Sequence, residues 1–180
     1  MVKVIIVNGM PGSGKTTFEQ FCIEALEKNH AGVGIMRSSV DYVKEVARHC
    51  GWNGTKLPED RKFLSELKRA LSQWRDLPFR DIANEANRYA ADINKYILFV
   101  DCREPHEIER LKKELNAFTV LIRRPEIEGA KASNSSDANV LEYDYDLTIW
   151  NEFSEDELYT MADYFVTETL EGVEYYGYEN

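Results

Sequence analysis

Residues Gly9 to Thr16 read Gly-Met-Pro-Gly-Ser-Gly-Lys-Thr, a spacing built to hold phosphate. Gly9, Gly12 and Gly14 free the backbone to turn its N–H groups inward around phosphate oxygens. Lys15 reaches the outer phosphates as a point charge, and the Thr16 hydroxyl suits Mg²⁺. A helix opening at Lys15 adds the positive end of its dipole. The whole segment, Gly9, Pro11, Gly12, Ser13, Gly14, Lys15, Thr16 and Thr17, is therefore the expected stretch for a nucleoside triphosphate with its Mg²⁺. A Gly-rich turn with a chance lysine is the plain alternative. The apolar run Val2-Lys3-Val4-Ile5-Ile6-Val7 directly before the loop argues against it, because a strand belongs there.

A second set of residues supplies what such a loop lacks. Asp101 closes the apolar run Tyr96-Ile97-Leu98-Phe99-Val100. An aspartate there can take the hydration shell of Mg²⁺ beside Thr16, or activate an acceptor. Arg103 lies two residues on, and Arg123 and Arg124 close the next apolar run. Arginine grips phosphate through a planar fork, and phosphoryl transfer needs positive charge around the transferring group. Each residue also has a simpler reading, as a solvated strand-end acid or a solubilising surface arginine.

The elements that must position these groups alternate. Apolar residues at Phe18, Phe21, Cys22, Ala25 and Leu26 predict a helix over 16–28. Val33-Gly34-Ile35-Met36 reads as a second strand. Ser39 reads as the cap of a helix to about His49. Gly51 to Pro58 is a loop, and helices over about 59–76 and 79–94 are split at Leu77-Pro78. The run ending in Asp101 reads as a strand buried on both faces. Pro105 opens a helix to about Leu115, and Phe118 to Ile122 is a strand. Glu126 to Asp144 is small and polar and reads as a mobile loop. Asp146 to Trp150 is a last strand, and Ser154 with Glu157 forms a capping box for a helix to about Leu170. The tail from Glu171 to Asn180 carries no assignment. Strands alternating with helices imply an α/β fold with a parallel sheet, whose ligands bind beyond the carboxyl ends of the strands. The loop, Arg37, Asp101, Arg103 and Arg123 then share one rim.

The chain has 180 residues, which suits one domain, and a net charge of −10. That charge repels nucleic acid and anionic membranes, so a phosphate site here must be locally positive. No run approaches a membrane-spanning length, and the first residues do not read as a signal peptide. Three cysteines, Cys22, Cys50 and Cys102, form no C-x-x-C pair. They are expected to be reduced thiols of a cytoplasmic protein.

Asp101-Cys102-Arg103-Glu104-Pro105-His106-Glu107-Ile108-Glu109 resembles the D-x-R-x-x-x-E segment of bacteriophage-type deoxynucleoside monophosphate kinases and the related animal-type phosphomevalonate kinases. The likeness continues through Ile122-Arg123-Arg124-Pro125, Asn134-Ser135-Ser136-Asp137 and the Tyr145-Asp146 to Trp150-Asn151 strand, about two-thirds of the chain. It implies a nucleoside-monophosphate-kinase-like three-layer P-loop fold with sheet order 2-3-1-4-5. It implies γ-phosphoryl transfer from Mg-ATP to a small phosphorylated acceptor. Gly14, Lys15 and Thr16 would hold the donor, Asp101 would serve the metal or the acceptor, and Arg103 and Arg123 would grip phosphates. Residues 124–140 would form a lid, and Asn151 would meet the adenine. The acceptor region would span about 39–94, where Asp41, Lys44, Arg61, Lys62, Lys68 and Arg69 are candidates and a solvated helix face is the plainer reading. Trp52, Trp74 and Phe79 read as base-stacking groups or, more simply, as anchors.

Other functions fit the same loop. A regulatory or assembly NTPase without a small acceptor is one, and a fold that has lost its acceptor chemistry is another. A GTPase switch fits less well, because no N-K-x-D motif is present: Asn94-Lys95 is followed by Tyr96-Ile97.

Overall fold

The computed structural model describes residues 2–90, 96–128, 140–152 and 154–171. Five strands form one parallel sheet: β1 Val2–Asn8, β2 Val33–Ser38, β3 Tyr96–Asp101, β4 Phe118–Arg123 and β5 Leu147–Trp150. Their order is β2-β3-β1-β4-β5. The central strands β1 and β3 carry apolar runs over 4–7 and 96–100 because both their faces are covered there, as a parallel sheet between helices requires.

The helices are α1 Lys15–His30, α2 Asp41–His49, α3 Pro58–Arg75, α4 Leu77–Ala90, α5 Pro105–Leu115, the single turn α6 Pro125–Glu128, and α7 Glu155–Glu171. The period-two alternation of the strands sorts the core into two layers. Ile5, Val7, Ile97, Phe99, Val120 and Ile122 pack against Phe18, Cys22 and Leu26 of α1 and Leu158, Phe165 and Val166 of α7. Val4, Ile6, Leu98 and Val100 face the other way, onto Ile82 of α4 and Ile108 and Leu111 of α5. Phe18 and Phe165 meet ring to ring, 5.6 Å between centroids.

The sequence reading holds for order and type of element and shifts at several ends. β2 runs on through Arg37 and Ser38, which pair with Val100 and Asp101. Ser39 does not cap α2. Val40 occupies that position, and the Asp41 carboxylate reaches back to accept from the Ser38 N–H at 2.8 Å. Pro78 does not divide two helices, because it sits in the first turn of α4, where a missing N–H costs nothing. The break is Asp76, in the left-handed region at φ 55°. Pro125–Glu128 is a helical turn where a loop is expected. The capping box forms as read: the Glu157 carboxylate accepts from Ser154 N at 3.0 Å and Oγ at 2.9 Å. The expected end of the helix over 79–94, most of the expected lid and the last nine residues lie outside the described residues.

β5 is short, and its start is pinned by Asp146. One carboxylate oxygen accepts from Thr119 N at 2.9 Å and Thr119 Oγ1 at 2.8 Å, and the other meets Lys112 Nζ at 2.5 Å. Burial raises the cost of this carboxylate, but those donors win and hold it below the usual aspartate range.

Candidate active site

The parallel register brings the carboxyl ends of the strands to one rim. Val7 of β1 stands beside Asp101 of β3, Ser38 of β2 beside Asp101, and Arg123 of β4 beside Trp150 of β5. The chain leaves β1 at Asn8, turns through 9–14 and enters α1 at Lys15. Asn8 is fully buried, and its side-chain oxygen accepts from the Gly9 N–H at 2.8 Å, which starts the turn. Ser13 N–H donates to the Met10 carbonyl at 3.0 Å and closes it.

Two glycines are required here for separate reasons. A Cβ on Gly9 would press into the backbone carbonyl of Ile122, which cannot rotate away. Gly14 caps α1 at φ 93°, left-handed backbone that suits glycine, and a Cβ there would strike the Asn151 amide. Lys15 is 8% exposed, and its ammonium donates to the carbonyl of Gly9 at 2.8 Å and approaches that of Met10 at 3.4 Å. The lysine thus bridges the loop from the helix back to its first residues.

The residues expected for a donor half lie on neighbouring elements: the loop, Lys15 and Thr16 on α1, and Asp101 on the strand beside the loop strand. Asp101 Oδ1 is buried and, among the described residues, has no hydrogen-bond partner. Ser13 Oγ is in the same condition. A buried carboxylate oxygen without a donor is costly unless a cation or a bound group completes it. One carboxylate with one hydroxyl is also the protein donor set that suits Mg²⁺, which keeps waters and phosphate oxygens as its other ligands. Among the described residues no cluster of three or more His, Cys, Asp or Glu forms a metal cage. The residues present thus fit a nucleotide-borne Mg²⁺, not a protein-caged one.

Arg103 is half-buried in the link from β3 to α5. Arg123 lies over the Trp150 ring, its Cζ 4.3 Å from the centroid, so a cation–π contact holds its guanidinium at the rim. Arg124 turns aside to Glu126, 2.8 Å away at the closest approach. Asn151 does not stand apart as a base contact. Its amide donates to the Ser13 carbonyl at 2.8 Å, and its N–H to the Arg123 carbonyl at 2.7 Å. It ties the end of β5 to both β4 and the phosphate loop.

Glu19 had escaped the sequence reading, and the contacts of Tyr145 and Arg37 were not visible in it. Glu19 is 2% exposed on α1, one turn past Lys15. Burial first, then the charge of Asp101, push its carboxyl up to about 8, with Lys15 opposing. The i,i+4 spacing of Lys15 and Glu19 was the available signal. Tyr145 accepts from the Asn8 amide at 2.7 Å and donates to the Val140 carbonyl at 3.0 Å, linking the base of the loop to the far side of the expected lid. Arg37 pairs with Glu85 at 2.9 Å while its Nε is buried without a partner among the described residues.

Beside the donor half lies a second cavity of about 130 Å³, bounded by Ser39, Ser72, Phe79, Ile82, Glu107 and Arg110, among others. Asp101 does not line it, but the backbone ties Asp101 to its wall at Ser39. Ser39 N–H donates to the Asp101 carbonyl at 3.0 Å, and the Cys102 thiol to Glu107 Oε2 at 3.6 Å. Burial, and then Glu107, push that thiol up, so Cys102 is a buried donor and not a nucleophile. Of the acceptor-side candidates, Lys68 reaches this cavity through Glu107 at 2.8 Å. Lys44 and Asp41 pair with each other at 3.3 Å, and Arg61 donates to the Lys56 carbonyl at 3.3 Å, so these hold their own helices. Phe79 lines the cavity under the Arg110 guanidinium, 3.7 Å above its ring. Trp52 anchors its loop through the Thr55 carbonyl at 3.0 Å, and Trp74 is 72% exposed beside Arg75.

No protein-family model matches the sequence, and no curated protein matches it. Solved structures do match. The shikimate kinase of Aquifex aeolicus superposes with a TM-score of 0.51 at 16% identity, over 94% of this chain and 96% of that one. A sugar kinase from Janibacter gives 0.54 at 12% identity, over 93% and 95%. The tunicamycin resistance protein of Deinococcus radiodurans gives 0.53 at 14% identity, over 92% and 96%. At such identities what is shared is the fold, along nearly the full length of both chains: an α/β P-loop domain with the sheet order described above.

Proposed function

We propose that this protein is an ATP-dependent phosphotransferase that moves the γ-phosphoryl group of Mg-ATP to a small phosphorylated acceptor, with (deoxy)nucleoside monophosphates the first class to test. One observation carries the reading: Asp101, with its buried oxygen lacking a donor, stands on the strand beside the loop that presents Lys15 and Thr16. The D-x-R segment at Asp101 and Arg103 supports a transfer to an acceptor over simple hydrolysis, and so does a second cavity whose wall at Ser39 is tied to Asp101.

In this reading the loop amides and the α1 N-terminus hold the triphosphate. Lys15 leaves the Gly9 and Met10 carbonyls for the outer phosphates and meets the charge that develops there. Thr16 and Asp101 would hold Mg²⁺, which would supply positive charge against the phosphates. Arg103 and Arg123 grip phosphates from the rim, Arg123 already held over Trp150. Asn151 keeps the loop in shape. The chain works as one domain, with the acceptor region over about 39–94. Residues 124–140 act as the lid that keeps water from competing as acceptor. Three unpaired cysteines suit a reducing compartment, the cytoplasm.

The test is incubation with Mg-ATP and a panel of nucleoside monophosphates, phosphomevalonate and dephospho-coenzyme A, reading ADP. Acceptor-dependent ADP is expected. Its absence across the panel, with slow hydrolysis that rises only when a protein partner is added, would overturn the reading in favour of a regulatory NTPase.

A further inference from the structure

The cavity beside Asp101 is bounded on one side by α3, a helix of 18 residues that buries none of them. Its C-terminal half meets α5 through ion pairs. Lys68 Nζ of α3 lies 2.8 Å from the Glu107 carboxylate, both side chains only about a fifth exposed at 21% and 23%. Asp76, just past the end of α3, pairs with Arg110.

The two pairs differ in what each cation would lose by leaving. Arg110 has two acids, Asp76 and Glu114, and lies over the Phe79 ring. It is fixed from three sides. Lys68 has one anionic partner among the described residues, Glu107. Glu107 in turn has a second donor, the Cys102 thiol. It therefore keeps a hydrogen bond if Lys68 departs, which lowers the cost of the exchange. The remaining walls are Ser39, Ser72, Pro78, Phe79, Ile82, Leu111 and the imidazole of His106. Lys68 does not line the cavity itself but is held at its wall by Glu107, and with that single anionic partner among the described residues it is the cation there best placed to exchange its partner for a ligand's anion.

We propose that the Lys68–Glu107 pair is an anion gate on the acceptor cavity: an acceptor bearing a phosphate or carboxylate takes Lys68 from Glu107, and Lys68 is the residue that selects an anionic acceptor. This rests on the phosphotransferase reading of the same site. Without ligand, Glu107 neutralises Lys68, so the cavity does not hold a bare cation. With ligand, the anion replaces Glu107, and α3, which has no buried side chain to displace, follows Lys68. A neutral acceptor has nothing to offer Lys68 and leaves the gate shut.

The protein is first saturated with Mg-AMPPNP, so that the phosphate loop is filled, and this binding is measured by calorimetry. Methyl phosphate, acetate and methanol are then titrated as separate probes. Methyl phosphate or acetate is expected to bind and methanol not, and the preferred anion identifies the acceptor group as phosphate or carboxylate. Lys68→Met should weaken the anion by about 10- to 100-fold, the range for losing one charge-assisted hydrogen bond. AMPPNP affinity should stay unchanged, and Lys68→Arg should restore part of the loss. Glu107→Gln, which frees Lys68, should tighten the anion. Anion affinity unaltered in Lys68→Met, or no anion binding to the AMPPNP complex at all, overturns the gate and leaves the phosphotransferase reading standing. Failure of AMPPNP itself to bind overturns that reading and the gate with it.

Discussion

Gly14→Ala tests the geometry of the phosphate loop most directly. Gly14 sits at φ 93°, and a methyl there would lie closer than 3.0 Å to the Asn151 amide. The left-handed backbone alone costs alanine about 1–2 kcal/mol. The Asn151 side chain can swing clear, but only by giving up its 2.8 Å bond to the Ser13 carbonyl, which removes about another 1 kcal/mol. Gly14→Ala should therefore lower unfolding free energy by about 2–3 kcal/mol. Asn151→Ala alone should cost about 1 kcal/mol, the bond without the strain. The double variant should cost about 2–3 kcal/mol again, because the bond is lost once in either case and the backbone strain stays. The coupling of about 1 kcal/mol is the signature, read by urea unfolding of the four proteins at matched m-values. A Gly14→Ala loss below about 0.5 kcal/mol, or strict additivity in the cycle, would refute the reasoning. The same variants separate two roles for Asn151. Equal weakening of ATP and tripolyphosphate in Asn151→Ala means that it acts through the loop, whereas weakening of ATP alone means that it meets the base.

Lys15→Ala should reduce acceptor-dependent turnover by about 10²-fold or more, since it removes the cation nearest the developing charge, and near-normal turnover would refute the site. Glu19 should make stability fall with rising pH. Its carboxyl goes from an ordinary 4.5 to about 8 on folding. Between those values the folded chain holds a proton that the unfolded chain has released, so its share of the slope is negative and approaches about 1.4 kcal/mol per pH unit. Glu19→Gln should flatten that stretch in denaturation measured across the range, and an unchanged slope would contradict it. Asp146→Asn should cost about 1–3 kcal/mol by weakening the charged bonds to Thr119 and Lys112. Because Asp146 is held below its ordinary value, its contribution is present above the unfolded pKa and lost as pH falls through the folded one. Wild type and variant should therefore converge in acid unfolding, and a gap that persists there would refute the electrostatic account.

What was legible in the sequence was local. The phosphate loop, the buried β3 run and the Ser154 capping box each lie within a few residues, and each forms as read. The errors lie where a distant or competing partner decides. Arg37 and Ser38 are polar, yet pairing with β3 keeps them in β2. Ser39 has the chemistry of a cap, but Asp41 captures the Ser38 N–H first, and the Ser39 N–H goes to Asp101 instead. The bond of Asn151 to Ser13 was hidden because nothing nearby in sequence shows it, and the expected base contact still awaits the tripolyphosphate comparison. The acceptor side was least legible: Lys68 and Glu107 sit on separate helices 39 residues apart, and no periodicity connects them.

The bond from Asn151 to Ser13 spans 138 residues. The loop is therefore made well before the residue whose amide completes its shape. At the usual speed of a ribosome, roughly 7–28 s separate the two. During that interval the nascent chain carries every residue of the phosphate loop but lacks the amide that holds Ser13 in place. β1 likewise waits for both of its sheet neighbours, β3 and β4. A chain truncated before residue 151 would carry the full motif and its local turn bonds, but not the bond that ties Ser13 to the end of β5.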